Sequence, residues 1–266
     1  KVYEETNGNE IGNVLQDMYM ANGKIYFITQ NGKTSSMGGV FNGDGRFVVC
    51  DAHTMKRLVA RDMPFYADID TSTGATQSSK STLCWPQHIV VVSPEKAYIQ
   101  YSTADNESHS GIRIVDLQTN IIRTSDIPGT FGVFTKTGAT KARMVFSRGK
   151  VFAGRGNSVI VLDPATDAVI KTVTYENRQV KDLAKGYDGK IYAIFTGEFT
   201  GNSGMTGAAS FTKPAMIVAL DANGEVVSET NLPEQIELRT GTASPTVQMC
   251  ASFTQPHLYF IGKQDF

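Results

Sequence analysis

The chain has 266 residues, 41% hydrophobic and 19% charged, with a formal net charge of -1. That composition belongs to a folded chain rather than a disordered one. The lack of a basic excess argues against nucleic acid or an anionic membrane surface as a partner.

Taken in order, the chain opens with Lys1–Asn13, a polar, Gly-containing stretch that is predicted to supply no strand pair. Strands are predicted at Val14–Met20 and Gly23–Ile28. A hairpin follows in which the apolar run Arg46–Cys50 ends at Asp51, a Thr stands three residues on at Thr54, and a second strand runs to Val59. The same series recurs. His88–Ser93 and Glu95–Ile99 precede the hairpin built on Asp116 and Thr119. Ala142–Ser147 and Gly149–Ala153 precede the one built on Asp163 and Thr166. Val180–Lys185 and Gly189–Ile194 precede the one built on Asp221 and Gly224. Val247–Phe253 and Pro256–Ile261 begin a fifth copy just before Phe266.

A unit of four short strands in up-and-down order, repeated with variable connections, is the signature of an all-β fold of the β-propeller type, each repeat being one blade. A β-sandwich would also alternate strands and turns, but gives no reason for the Asp-x-x-Thr hairpin to recur. One propeller domain is therefore predicted over 1–266, with blades near 14–62, 87–127, 141–174 and 179–232 and an incomplete blade at 245–266. Either the N-terminal segment completes the last blade or the natural protein continues beyond Phe266; the polarity of Lys1–Asn13 favours the second. Long connections at 30–45, 102–111 and 196–213, and between blades at 63–86, 128–141 and 233–245, are predicted to emerge on the face where the innermost strands begin.

The recurring carboxylates Asp51, Asp116, Asp163 and Asp221 are read as turn residues whose side chains satisfy backbone N–H groups. Asp68–Gly74 resembles a Ca²⁺ loop with its Gly one place late and no Glu at the twelfth position, so a solvated loop is preferred. Asp105–His109 is read as a polar loop without metal spacing, and the sequon at Asn106 as having no consequence. Among the three cysteines, Cys50 is expected to be a core residue. Cys84 and Cys250 are read as two free thiols in preference to a bridge. No run is long enough to span a bilayer, and no signal segment follows Lys1. No metal centre, cofactor motif or catalytic signature is found, so none is assigned.

The better candidates for ligand contact stand at the starts of the innermost strands: Gln16, Asp17, Trp85, Gln87, His88, Lys141, Arg143, Arg178, Lys181, Asp182 and Gln248. They mix polar, cationic and aromatic groups, a combination suited to a polar small molecule or a glycan. Trp85 is either a contact or a plug packed between blades. Arg143 and Lys181 are read either as ligand contacts or as partners of Asp182 or Asp17.

With Val161-Leu-Asp163-Pro-Ala-Thr166-Asp-Ala-Val169 as its hairpin, the chain resembles the seven-bladed YncE-like propellers. Through Trp85–Ile89, Gly149–Ala153 and Arg178–Leu183 it is similar to the DUF5074-type secreted propellers of Bacteroides-like bacteria. The resemblance implies seven blades in the intact protein and an extracytoplasmic setting, at the cell surface or in the periplasm, with a lipid anchor upstream. It also implies a surface-layer or adhesion-like role, or capture of cobalamin. The expected function is thus a non-catalytic binding protein that holds a corrinoid or a glycan on its loop-rich face. The alternatives are an adhesion scaffold for another envelope protein and a propeller lyase or hydrolase. The enzyme reading needs converging acid and base groups, for which Asp17 and Asp182 are the one pair available.

Overall fold

The computed structural model describes the chain apart from residues 32–45, 64–65, 70–75, 83, 104–108, 134–141, 201–209, 234–248 and 261–266. Two compact units divide it, Lys1–Val133 and Phe134–Phe266.

The first unit begins with a short helix, α1 (Val2–Asn7), where the sequence suggested only a polar lead-in. Gly8 ends it in the left-handed conformation at φ 71°, its N–H donating to the Glu4 carbonyl. Tyr3 is buried against Ile25, Phe27, Val48 and Cys50. The Asn7 side chain donates to the carbonyls of Tyr3 and Met55 at 2.9 Å and accepts from the Arg57 N–H at 2.7 Å. One aromatic and one amide therefore dock a segment whose composition is otherwise that of a solvated tail.

Four antiparallel strands follow in meander order: β1 (Asn13–Ala21), β2 (Lys24–Asn31), β3 (Arg46–Asp51) and β4 (Arg57–Asp62). A separate hairpin, β5 (Tyr66–Ile69) with β6 (Thr76–Thr82), occupies the next connection. The second sheet is β7 (Cys84–Ser93), β8 (Lys96–Thr103), β9 (His109–Asp116) and β10 (Ile121–Asp126), and β11 (Gly132–Val133) also pairs with β9.

The second unit repeats the plan. Its first sheet is β12 (Val145–Ser147), β13 (Lys150–Arg155), β14 (Ser158–Asp163) and β15 (Ala168–Thr174). Its second begins with β16 (Val180–Lys185) and β17 (Ile191–Phe195). The hairpin of β18 (Glu198–Thr200) and β19 (Ser210–Lys213) intervenes before β20 (Met216–Leu220) and β21 (Val226–Asn231) complete the sheet. The pair β22 (Met249–Ala251) and β23 (Leu258–Phe260) closes the described chain. Four-stranded antiparallel meanders with no crossover are the construction of β-propeller blades. Among the described residues no helix is long and apolar enough to cross a membrane.

The hairpins joining first and second strands owe their shape to local chemistry. Asn22 and Gly23 have φ of 52° and 69°, and Arg148 and Gly149 have 49° and 77°. Two successive positive φ values make the tight turn that matches strand twist, which is why a Gly precedes the repeated Lys. The Lys then faces the hairpin Asp across the sheet, with Lys150 Nζ lying 2.9 Å from Asp163 Oδ2.

Burial grades across each sheet. The second and third strands are covered on both faces, and β13 and β14 are almost wholly buried. The fourth strands are half-exposed or, in β21, exposed throughout. In the first unit Tyr26, Ile28, Phe47 and Val49 of one sheet meet Ile89, Val91, Ile99 and Val115 of the next. In the second unit Phe152, Val159 and Val161 meet Leu183, Phe195 and Val218. The opposite face of that last sheet receives Met249, Leu258 and Phe260. Each such side chain contributes about 1.5–3 kcal/mol by leaving water, so stacking stabilises sheets that would be marginal alone.

One polar cluster interrupts the first unit's core. Arg113 is 1% exposed, its Nε 3.6 Å from Asp126 Oδ1 and its guanidinium 5.2 Å from the Tyr101 ring centroid. Tyr101 O–H donates to Asp126 Oδ2 at 2.9 Å. Burial lowers the Arg113 pKa to about 10, which leaves it charged at neutral pH. Gly111 makes room for the pair: a Cβ there would stand 2.2 Å from Asp126 Oδ1. Removing one partner of a buried pair strands the other, at a cost of about 3–5 kcal/mol. Asp126→Ala is expected to lose that much in urea unfolding, and Gly111→Ala to be destabilised by the clash.

Candidate functional site

The innermost strands carry a shared irregularity. The register slips between Leu15 and Asp17, between Pro86 and His88, and between Val180 and Asp182. Each slip leaves one extra residue, Gln16, Gln87 and Lys181 respectively. It brings Asp17 opposite Ile28, His88 opposite Gln100 and Asp182 opposite Ile194. A bulge re-aims the side chain that follows it. In these strands the re-aimed groups are the polar candidates themselves.

In the first unit Asp17 Oδ1 accepts from its neighbour's Met18 N–H at 2.8 Å. Its Oδ2 reaches β7, accepting from the Ile89 N–H at 3.1 Å and lying 3.4 Å from His88 Nδ1. His88 is buried, and Gln87 Nε2 donates to Ser102 Oγ at 2.9 Å. One carboxylate thus ties two innermost strands that no ladder joins.

In the second unit Asp182 is 2% exposed and more fully engaged. Oδ1 accepts from the Leu183 and Arg143 backbone N–H groups at 2.9 and 3.2 Å. Oδ2 accepts from the Met249 N–H at 2.8 Å and from Arg143 Nη2 at 2.6 Å, with Arg143 Nε at 3.2 Å from both oxygens. Arg143 Nη2 also donates to the Met249 carbonyl. Three consecutive segments, ahead of β12, in β16 and in β22, therefore meet on one ion pair. The Arg143 side chain remains 41% exposed while its partner is enclosed.

Arg178 is buried, with Nη1 donating to the carbonyls of Thr196 and Pro214 at 2.8 Å. Desolvation lowers its pKa, with Glu198 and Glu229 pulling the other way. Lys181 is also buried, and Gln16 is half-buried. Lys141 and Gln248 lie outside the described residues. The Trp85 backbone pairs with Ser102, and its side chain lies outside the described part. The structure therefore gathers Asp17, Gln87 and His88 in one unit and Arg143, Arg178, Lys181 and Asp182 in the other. Both carboxylates offered as an acid–base pair serve as backbone anchors, each in its own unit.

The hairpin aspartates are turn residues. Asp51 Oδ1 accepts from the His53 and Thr54 N–H groups at 3.0 and 2.8 Å and from Thr54 Oγ1 at 2.9 Å. Asp116, Asp163 and Asp221 accept the equivalent N–H groups of Gln118 and Thr119, Ala165, and Asn223 and Glu225. The backbone donors of Thr54, Thr119 and Glu225 are the leading cause that holds the Asp51, Asp116 and Asp221 carboxyls below their ordinary range.

One reading changes. His109, placed by sequence in a solvated loop, begins β9, is buried, and stacks on Phe131 with ring centroids 5.5 Å apart. The rest of that loop, 105–108, lies outside the described residues, as do positions 70–74 of the Ca²⁺-like stretch. Cys50 is buried and Cys250 is exposed and free. The Arg143–Asp182 pair is one of the alternatives the sequence leaves open; the backbone contacts of Asp17 and Asp182 are not among them, though a signal for them exists. Each sits eleven or twelve residues ahead of the matching Ile28 and Ile194 of the Gly-Lys strand.

Residues 1–265 match the profile of a domain of unknown function, DUF5074. No curated protein matches the chain. Among solved structures, the β-propeller domain of the Trilobed protease from Pyrococcus furiosus, described as having an open velcro topology, is similar at 11% identity and a TM-score of 0.49. The match covers 97% of this chain and 66% of that one, so the chain spans slightly under two thirds of that structure's length.

Two outcomes are expected. Asp182→Asn removes the charge opposite Arg143, so amide exchange at Met249 and Arg143 should accelerate together, with a stability loss of about 3–5 kcal/mol. The hairpin carboxylates have depressed folded pKa values, so their stabilisation is complete above the unfolded carboxylate range and is lost as pH falls through the folded values. Urea midpoints should accordingly hold at neutral pH and fall in acid, less steeply once Asp51, Asp116 and Asp221 are changed to Asn.

Proposed function

This chain belongs to the DUF5074 family, and on that footing we propose that it is a non-catalytic binding protein of the cell envelope. It captures a small polar ligand, a corrinoid or a glycan, where the innermost strands begin. The observation that carries the reading is Arg143. Its guanidinium is fixed by the enclosed Asp182 carboxylate and its side chain is 41% exposed. A cation held in one orientation and still accessible binds at a lower ordering cost than a mobile one. Its Nε and Nη2 donors are engaged by Asp182 and Met249, and a ligand oxygen or hydroxyl would meet the exposed side of the guanidinium.

The neighbouring polar groups support the same assignment by holding the strand entrances rigid. Asp182 and Arg178 spend their polar atoms on backbone groups. That is the supporting shell a recognition residue needs rather than a set of reacting groups. The extracytoplasmic setting and the two ligand classes rest on the family resemblance of the blade motifs, and come to this chain as part of the proposal.

Calorimetric titration with cyanocobalamin and with a panel of neutral and acidic oligosaccharides tests it. Saturable binding to one of them is expected, weakened about tenfold, or 1.4 kcal/mol, by Arg143→Ala. Arg143→Lys keeps the charge but loses the fork, and should recover only part of the affinity. No binding to either class, or binding indifferent to Arg143, overturns the reading and leaves a protein partner in its place.

A further inference from the structure

At the other end of β16 the polypeptide builds a second, unrelated feature. Two hairpins of the second unit, one joining β16 to β17 and one joining β22 to β23, enclose a cavity of ≈ 110 Å³ lined by Tyr187, Asp188, Tyr192, Pro256, His257 and Leu258. Both hairpins are fixed by their own hydrogen bonds. The Gly186 N–H donates to the Lys190 carbonyl at 2.8 Å, and the Gly189 N–H to the Gly186 carbonyl at 3.0 Å. The Ser252 N–H donates to the His257 carbonyl at 2.9 Å, and the His257 N–H to the Gln255 carbonyl at 2.8 Å.

The lining combines ring faces with a pre-set hydrogen-bonding group. Tyr187 is 58% exposed. Tyr192 lies over Gly186 so closely that a Cβ there would meet its Cε2 at 2.3 Å. Asp188 Oδ2 accepts from Lys190 Nζ at 2.6 Å and from Tyr192 O–H at 3.0 Å, and its Oδ1 accepts from the Lys190 N–H at 3.1 Å. These bonds, the Lys190 side chain first, hold the Asp188 carboxyl below its ordinary range, and the same pair raises the Lys190 ammonium. Both are charged at neutral pH and cancel. The Arg148 guanidinium packs against Gly189 in the same turn.

That charge balance decides the ligand class. A carboxylate among aromatic rings would ordinarily suit an organic cation, but here Lys190 neutralises it and Arg148 adds positive charge nearby. An anion would face the Asp188 carboxylate. A neutral ring with an apolar C–H face and hydroxyls on its rim matches what remains: tyrosine surface to stack on, and the carboxylate and His257 at the edge to take hydroxyl protons or supply hydrogen bonds. The volume is below the roughly 300–1,000 Å³ of sites for drug-sized ligands and the cavity is open on one side, so it seats part of one ring, the rest staying in solvent, rather than a chain.

We propose that this cavity is a binding site for a single neutral sugar residue, such as the end of a glycan, separate from the Arg143 site. Saturation-transfer NMR on the full chain with methyl α-mannoside, methyl β-galactoside and methyl β-N-acetylglucosaminide tests it, with tetramethylammonium as the cationic control. At least one glycoside should receive saturation through its ring C–H protons, with a Kd on the order of 1 mM. Tyr187→Ala should abolish the transfer without lowering the thermal midpoint, Tyr187→Trp should keep it, and His257→Ala should weaken it. Excess cyanocobalamin should leave it unchanged, which separates this site from the one proposed above. Absence of transfer to all three glycosides overturns the proposal. So does transfer that survives Tyr187→Ala, transfer displaced by cyanocobalamin, or a tetramethylammonium signal that depends on Tyr187.

Discussion

The second unit depends on what its Asp182 carboxylate does with its two oxygens. The innermost strands of neighbouring sheets have no ladder between them, so their backbone groups need other partners. Asp182 supplies them to Leu183, Arg143 and Met249. An ionised carboxylate enclosed to 2% exposure would be costly by itself, and Arg143 offsets that charge with its Nε and Nη2 donors. The first unit uses a lighter version, in which Asp17 reaches Ile89 and His88. Apolar contact between sheets is non-directional and would tolerate sliding. A charge-assisted contact to a single backbone N–H is not, and it fixes the stagger.

The consequence for function is a division of labour along each innermost strand. At its start, polar side chains are bound up in holding strands to one another, and the recognition we propose falls to Arg143, whose side chain stays 41% exposed. At its far end, in the second unit, the hairpins carry no such duty and expose Tyr187, His257 and Tyr259. The recurring hairpin aspartates belong to neither group. One oxygen of each is committed to backbone N–H groups within two to four residues of chain.

The contrast between what could be read from residues and what could not follows the range of the interactions. The strands, the tight Asn22-Gly23 turn and the Asp-x-x-Thr hairpins are local. They are written in β-branched runs, positive-φ residues and short polar side chains, and were legible. The docking of α1 was not, because it depends on Tyr3 finding Phe27 and Cys50 far along the chain. Nor was the burial of His109, which reads as part of a polar loop until Phe131 is brought beside it, or the Arg113–Asp126 pair, which no local pattern marks. The innermost-strand residues fall between. Their place at the starts of innermost strands follows from the repeat, but their contacts turn on bulges and on partners up to 106 residues away, as between Arg143 and Met249. The cavity at Tyr187 joins two hairpins whose sequences carry no shared motif.

The claim that the Arg143–Asp182 pair holds the innermost strands of the second unit is tested most directly by a double-mutant cycle. Urea unfolding would be measured for the wild type, Arg143→Ala, Asp182→Asn and the double variant. Groups acting as one unit should show a coupling energy of about 1–3 kcal/mol, the double variant losing much less than the two single losses added together. Single losses that add to within about 0.3–0.5 kcal/mol would show that the two residues act independently, and would contradict the account.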